Sequence, residues 1–412
     1  MMTNQVTVWN HIAAAPHRSF FLVGALQGIL ALLWWVFDLS GRYAVVGTAI
    51  NWNIAPIWVH AFLMIYGFFP FFIFGFLFTT YPNWMNGEKV KPREYMSTCL
   101  LMLCGVLLFY IGLVAGEELS IVGVAVMLIG WSLAVYVLLR ILFATASQQD
   151  KRHAKVISVA LLMGWFGLIA YLLWLITGNP AMIDFSSHIG IWFFLVPIVL
   201  TVSHRMIPFF SSRVLDNYVM VRPFWLLWFM LGLIVVHGCL QLLEMLAYLW
   251  ILDLPLALCA FYLSYRWGWT RSFRAKLLAV LHVSFAWFAI SMVLYGLQSL
   301  IYMQSGRIVF GLAPLHALTI GFFTSMILAM TSRVTLGHAG RPLELDQLTW
   351  ILFLGFQAAA ILRIIADVLS AAAAIMPQLY VIAGLIWLFA FALWAIKYVP
   401  IYWRPRVDGK QG

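Results

Sequence analysis

The chain has 412 residues, 64% hydrophobic and only 9% charged, with a formal net charge of +10. Soluble domains carry about a quarter charged residues, so this composition excludes an ordinary soluble globular protein. It also turns the positive charge away from nucleic acid and toward basic loops on one face of a membrane protein.

Apolar runs of about 18 or more residues recur along the whole length, each long enough to cross a hydrocarbon core about 30 Å thick. They lack the alternation of a membrane β-barrel. The opening residues are polar and mixed and carry no cleavable-looking signal, so the first apolar run is read as a retained span. Twelve spans follow, at roughly 20–37, 57–81, 96–115, 119–143, 156–177, 188–207, 223–243, 245–265, 276–301, 311–332, 348–369 and 376–398. The longest connection, Asp38 to Pro56, is too short for a soluble domain. The expected fold is therefore all-α, one polytopic helical bundle over residues 1–412. Cys99, Cys104, Cys239 and Cys259 lie inside apolar runs with no CxxC pair and read as small buried hydrophobes. Pro70 and Pro197 fall within spans 2 and 6, where they could break the helix.

Orientation follows from Lys and Arg. If the termini and every even-numbered loop share one side, that side holds 21 of 24 basic residues, all but Arg42, Arg307 and Arg363. This split predicts a multi-pass membrane protein with cytoplasmic termini. Spans 2 and 10 open alike, with "APIWVHAF" and "APLHAL", which places His60 and His316 at similar depth near the outer surface.

The intramembrane histidines sort into two layers. His60, His188, His237 and His316 fall near the outer ends of their spans; His204, His282 and His338 fall toward the inner side. His188 and His204 share span 6, 16 residues apart, about 24 Å along its axis. His11, His17 and His153 read as solvated loop residues. Two layers near opposite faces suit two haem sites, since haem iron takes neutral imidazoles and a low-dielectric setting keeps histidine neutral. The competing reading is interhelical hydrogen bonding. His237, Gln241 and Glu244 share a helix face, so Glu244 could orient His237 or simply sit among headgroups. Arg363 and Asp367 stand four apart on span 11, either as an ion pair or with Arg363 free to hold a haem propionate. Arg205 and Arg333 are the inner counterparts, although basic residues at inner span ends are expected in any case.

The segment "LHALTIGFFTSMILAMTSRVTLGHAGRPL", from Leu315 to Leu343, resembles the NnrS family of membrane proteins. "GFLFTTYPNW", "SHRMIPFFSSRVL" and "LHVSFAWFAISMVLYGL" resemble further family stretches in order, so the resemblance covers most of the chain. It implies haem and copper and an association with nitric oxide, in nitrosative stress or denitrification. Where the family's early motif reads roughly His-Ala-His-Glu-Met, this chain reads "HAFLM", with Phe62 and Leu63 in place of a histidine and a glutamate. Non-covalent haem b is expected, because no CxxCH run exists to attach it. The outer metal ligands are drawn from His60, His316, His188 and His237, with His60 and His316 first, and the inner ones from His204, His282 and His338. Little or no stoichiometric copper is expected.

The reading that results is a haem-binding inner-membrane protein acting in nitric oxide tolerance or metabolism. Its partners are the bilayer, a small diatomic ligand and an electron donor, and whether nitric oxide is turned over, sensed or only bound stays open. One alternative is a haem–copper oxidase or nitric oxide reductase-like catalytic subunit, against which stands the lack of an adjacent His-His pair. The other is a secondary transporter, against which stands the placing of polar residues near the faces rather than at midplane.

Overall fold

The computed structural model describes residues 8–43, 45, 47–144, 149–371 and 377–409. Positions 1–7 and 376 and Lys410, used in the reading above, lie outside them. Twelve long helices carry the fold: α1 Pro16–Arg42, α2 Pro56–Met85, α3 Pro92–Ala115, α4 Glu117–Ala144, α5 Arg152–Thr177, α6 Pro180–Val214, α7 Phe224–Leu242, α8 Trp250–Arg266, α9 Lys276–Ser305, α10 Ala313–His338, α11 Gln347–Ala371 and α12 Pro377–Ile401. No strand occurs among the described residues. All except α8 are long and apolar enough to cross a membrane. Helix α8 has 17 residues and follows a 3-10 turn at Leu246–Tyr248; its length of about 25 Å falls just short of a full hydrocarbon core.

Most helices extend past the expected apolar spans because their polar ends are satisfied in place. Arg18 is buried, and its guanidinium donates to the carbonyls of His11, Tyr402 and Arg404. Asp38, near the far end of α1, accepts from Trp52 Nε1 at 3.0 Å and pairs with Arg42. Of the cysteines expected to be buried, Cys99 is; Cys104 and Cys239 are exposed on the outside of the bundle.

The twelve helices form three quartets. Helix α4 packs on α5, α8 on α9, and α12 back on α1, so the last helix of each quartet meets the first of the next and the ring closes. The second helices, α2, α6 and α10, run through the middle. Their most apolar windows are 89%, 72% and 78% buried; α9 is also 72% buried, and the other spanning helices are 61% buried or less. Together α2, α6 and α10 line a small apolar cavity of about 40 Å³, with Ile73, Val199 and Met326 among its walls.

Each central helix also changes winding at the same place. A π-helical stretch occupies Leu63–Phe68 in α2, Ile189–Leu195 in α6 and Ala317–Thr324 in α10. A histidine stands just before each one, His60, His188 and His316, spaced 128 residues apart along the chain. In α2 and α6 a proline, Pro70 or Pro197, follows the wide turns. Proline lacks an N–H and clashes with the carbonyl four residues back, so widening the preceding turns relieves the conflict. Helix α10 has no proline there and uses hydroxyls instead: Thr324 Oγ1 donates to the Thr319 carbonyl at 3.0 Å. Glycines inside the wide turns permit close contact. A Cβ on Gly190 would stand 2.6 Å from Ile65 Cγ2, and one on Gly321 would stand 2.6 Å from the Trp287 ring.

Candidate functional site

At the outer ends of the central helices, His60, His188 and His316 are each partly open, while His237 is fully enclosed. The helical turn before each wide stretch supplies a local anchor. His188 Nδ1 lies 2.7 Å from the Asp184 carbonyl and His316 Nδ1 lies 3.1 Å from the Leu312 carbonyl, both one turn back. A carbonyl accepts only, so Nδ1 carries the proton in both rings and Nε2 holds the lone pair.

His316 has a second anchor across the helix interface. Its Nδ1 is 2.7 Å from Asp367 Oδ2 on α11, and the other carboxylate oxygen of Asp367 pairs with Arg363. The Arg363–Asp367 ion pair, one of the two readings of span 11, is present, and it extends to a histidine contact that the sequence did not suggest, forming one chain, Arg363–Asp367–His316. Arg363 lies over the Tyr380 ring at 4.3 Å. His60 stacks on Trp35 of α1, ring centroids 4.0 Å apart and nearly parallel. His316, Arg363 and Arg42 all lie within electrostatic range of His60. The two histidines named first from sequence thus face one cluster, walled by α1, α2, α10, α11 and Tyr380 of α12.

His237 sits elsewhere, between α7, α8 and α9. Its Nδ1 is 2.6 Å from Asp253 Oδ1, and both side chains are wholly inaccessible. Its ring lies 3.7 Å from that of Trp192 and 5.4 Å from that of Tyr295. Glu244, the residue expected to orient it, is exposed beyond the end of α7 with φ near 57°. Gln241, on the same stripe, accepts from Trp192 Nε1 at 2.9 Å. Asp253 is the partner that was missed. His237 Nε2 and Asp253 Oδ2 have no partner, but the surrounding rings fill the space around the pair.

The inner layer differs from expectation in kind. His17 and His153, read as solvated, are each only 2% exposed. His153 Nε2 lies 3.0 Å from His204 Nδ1. His17 packs on His338 at 4.6 Å between ring centroids, and His282 Nε2 is 3.1 Å from Ser211 Oγ. The three inner candidates thus each meet a different partner: His204 from α5, His338 from α1 and His282 from α6. The inner arginines are held by rings, Arg333 over Phe210 at 3.8 Å and Arg205 over Trp84 at 4.6 Å. Among the described residues no three His, Cys, Asp or Glu side chains gather into a group able to hold a bare metal ion.

No curated protein matches the chain. The family model described as NnrS protein matches residues 11–406, nearly the whole length. This multi-pass helical chain belongs to the NnrS family.

Proposed function

We propose that the protein binds haem b at the outer cluster and acts in nitric oxide tolerance. The observation that carries this reading is the Arg363–Asp367–His316 chain. A carboxylate that takes the Nδ1 proton orients the ring and raises the basicity of Nε2, the arrangement found behind metal-bound histidines. His60, held against Trp35, supplies a second imidazole nearby. Arg42 and Arg363, each paired with one carboxylate, keep further N–H donors of the kind that hold propionates, and Trp35 and Tyr380 hold His60 and Arg363 in place by stacking. Haem b, when bound, contributes an iron that takes nitric oxide. The chain's own part is to fix the His316 tautomer, hold His60 flat against Trp35, and keep the cluster in a low-dielectric setting into which an apolar gas partitions readily. His237 is the weaker candidate because Trp192 and Tyr295 enclose it. The inner layer is weaker too, because His282 Nε2 is already engaged and His204 Nδ1 meets another imidazole rather than a carboxylate. The tie to nitric oxide rests on the family resemblance.

The test is a visible spectrum of protein purified with haem supply assured. A Soret band is expected, reduced or shifted in His316→Ala and His60→Ala. Full, unchanged haem in both variants would remove this pair. A deletion strain should grow worse than its parent under a nitric oxide donor, and equal growth with the gene expressed would overturn the physiological role.

A further inference from the structure

A larger cavity lies far from the histidine clusters, at the end of the bundle where basic residues gather. It has a volume of about 800 Å³ and is bounded by the α6–α7 connection, α8, the turn after it and α9. Its two ends differ in chemistry. Arg266, Trp269 and Arg271 line the end at the helix termini; Phe261, Ala286 and Ile290 line the other. Ala286 and Ile290 stand 10 and 14 residues into α9, so the apolar end lies roughly 15–21 Å beyond the first residue of that helix.

Charge gives the occupant its sign. The cavity lining includes two arginines, Arg266 and Arg271, and no acidic residue. Arg271 donates to the backbone carbonyl of Asp216, and Arg266 donates to Tyr262 Oη at 3.2 Å. Neither has a carboxylate partner among the ion pairs of the described residues. Between the two ends sits Ser264, 7% exposed, whose Oγ has no partner. Buried serines elsewhere in these helices, such as Ser203 and Ser284, donate to the carbonyl one turn back; Ser264 does not. Ser264 lines the groove, and rotation about its Cα–Cβ bond would turn the unpartnered hydroxyl into it. No histidine lines the cavity, so no imidazole there could ligate a haem iron.

We infer that this groove holds one anionic phospholipid of the surrounding bilayer, its phosphate on Arg266 and Arg271 and an acyl chain along Phe261, Ala286 and Ile290. Ser264 donates to an ester carbonyl at the junction of head and chain. The short α8 makes room for the lipid: where a longer helix would fill the leaflet, the groove opens instead. Basic pockets between helices are suited to anionic headgroups, each arginine near the surface contributing about a fivefold gain in affinity.

The experiment uses the full protein in nanodiscs of mixed phosphatidylglycerol and phosphatidylcholine, followed by native mass spectrometry of lipids retained after release into detergent. The wild type should retain phosphatidylglycerol selectively at about one per chain. Arg266→Gln/Arg271→Gln should lose that selectivity, and Ala286→Trp, which fills the apolar end, should lose retention of both lipids. Arg274→Gln, a basic residue of the same segment that does not line the cavity, should behave as wild type. Equal retention of both lipids by the wild type, loss of selectivity in Arg274→Gln as well, displacement by inorganic phosphate alone, or a retained quinone in place of the lipid would each overturn the assignment. Thermal unfolding of the same samples, expected to be unchanged in the variants, separates a failure of folding from a failure of lipid binding.

Discussion

His237 and Asp253 form the most deeply enclosed ionisable pair described, 2.6 Å apart with no access to solvent. Removing one partner strands the other in an apolar interior. Asp253→Leu should therefore lower stability by about 1–2 kcal/mol, the upper range for polar contacts between membrane helices. Asp253→Asn, which still accepts from Nδ1, should recover much of that. Thermal unfolding in detergent measures both, and the Soret maximum should stay put in each if the haem sits at the outer cluster. At position 62 the structure accounts for a departure from the family motif. The Phe62 ring packs 4.2 Å from Phe109 and 4.5 Å from Tyr171 and is almost fully buried, as is Leu63. That space is shaped for apolar groups and offers no coordinating atom. Metal analysis of protein purified with intact haem should give copper well below one per chain; a ratio near one that survives mild chelation would place copper ligands elsewhere. Sequence spacing could pick out His60 and His316 because their spans open alike. It could not pick out Asp253, whose partner stands on the preceding helix. The signal available was a lone carboxylate in an otherwise apolar run, which is costly unless paired or functional. His17 and His153 were misread for a related reason: a polar residue at a span end is usually solvated, and only the arrival of α10 over His17 and α6 over His153 buries them.

At the scale of the helix, the wide turns after His60, His188 and His316 set which way each histidine faces. A π turn has more residues than an α turn, so it rotates everything before it relative to everything after. In α10 the freed carbonyls depend on hydroxyls. Thr324→Val, similar in shape but without the donor, should cost about 1 kcal/mol and shift or weaken the haem spectrum through His316. An unchanged spectrum with lowered stability would make the wide turn a packing device alone. Gly321→Val would press two methyl groups into the Trp287 ring and should cost roughly 1–3 kcal/mol, read as a lower unfolding midpoint. The positions of the helices were legible because long apolar runs announce themselves. The change of winding was not, since a period of 3.6 residues was assumed throughout and hydrophobicity on all sides of α2 leaves no stripe from which to read another.

On the scale of the whole molecule, the basic-residue split predicts that each long helix crosses the membrane. Reporter fusions after Gly116 and after Gln149 should fall on opposite sides. The sharper case is α8, which has only 17 residues. Fusions after Met245 and after Gly268 should also be opposite if it crosses, and the same side for both would make it re-entrant and reverse the rest of the topology. The threefold plan was only half visible in the sequence. Ala-Pro precedes His60 by four residues and His316 by two, whereas Asn179-Pro180 lies eight before His188, so the third copy escapes a search at fixed offset. The closed ring carries a consequence for how the chain could be rewired. Since α12 lies on α1 just as α4 lies on α5 and α8 on α9, the present ends are one seam among three like it. Arg18, bonded to the Tyr402 and Arg404 carbonyls, already ties the two sides of that seam together. A circular permutant that joins the old ends through a flexible linker and opens the chain between Ala144 and Arg152 should still assemble the same ring. Two quartets expressed without the third should instead leave an open seam that a separately made third quartet can fill.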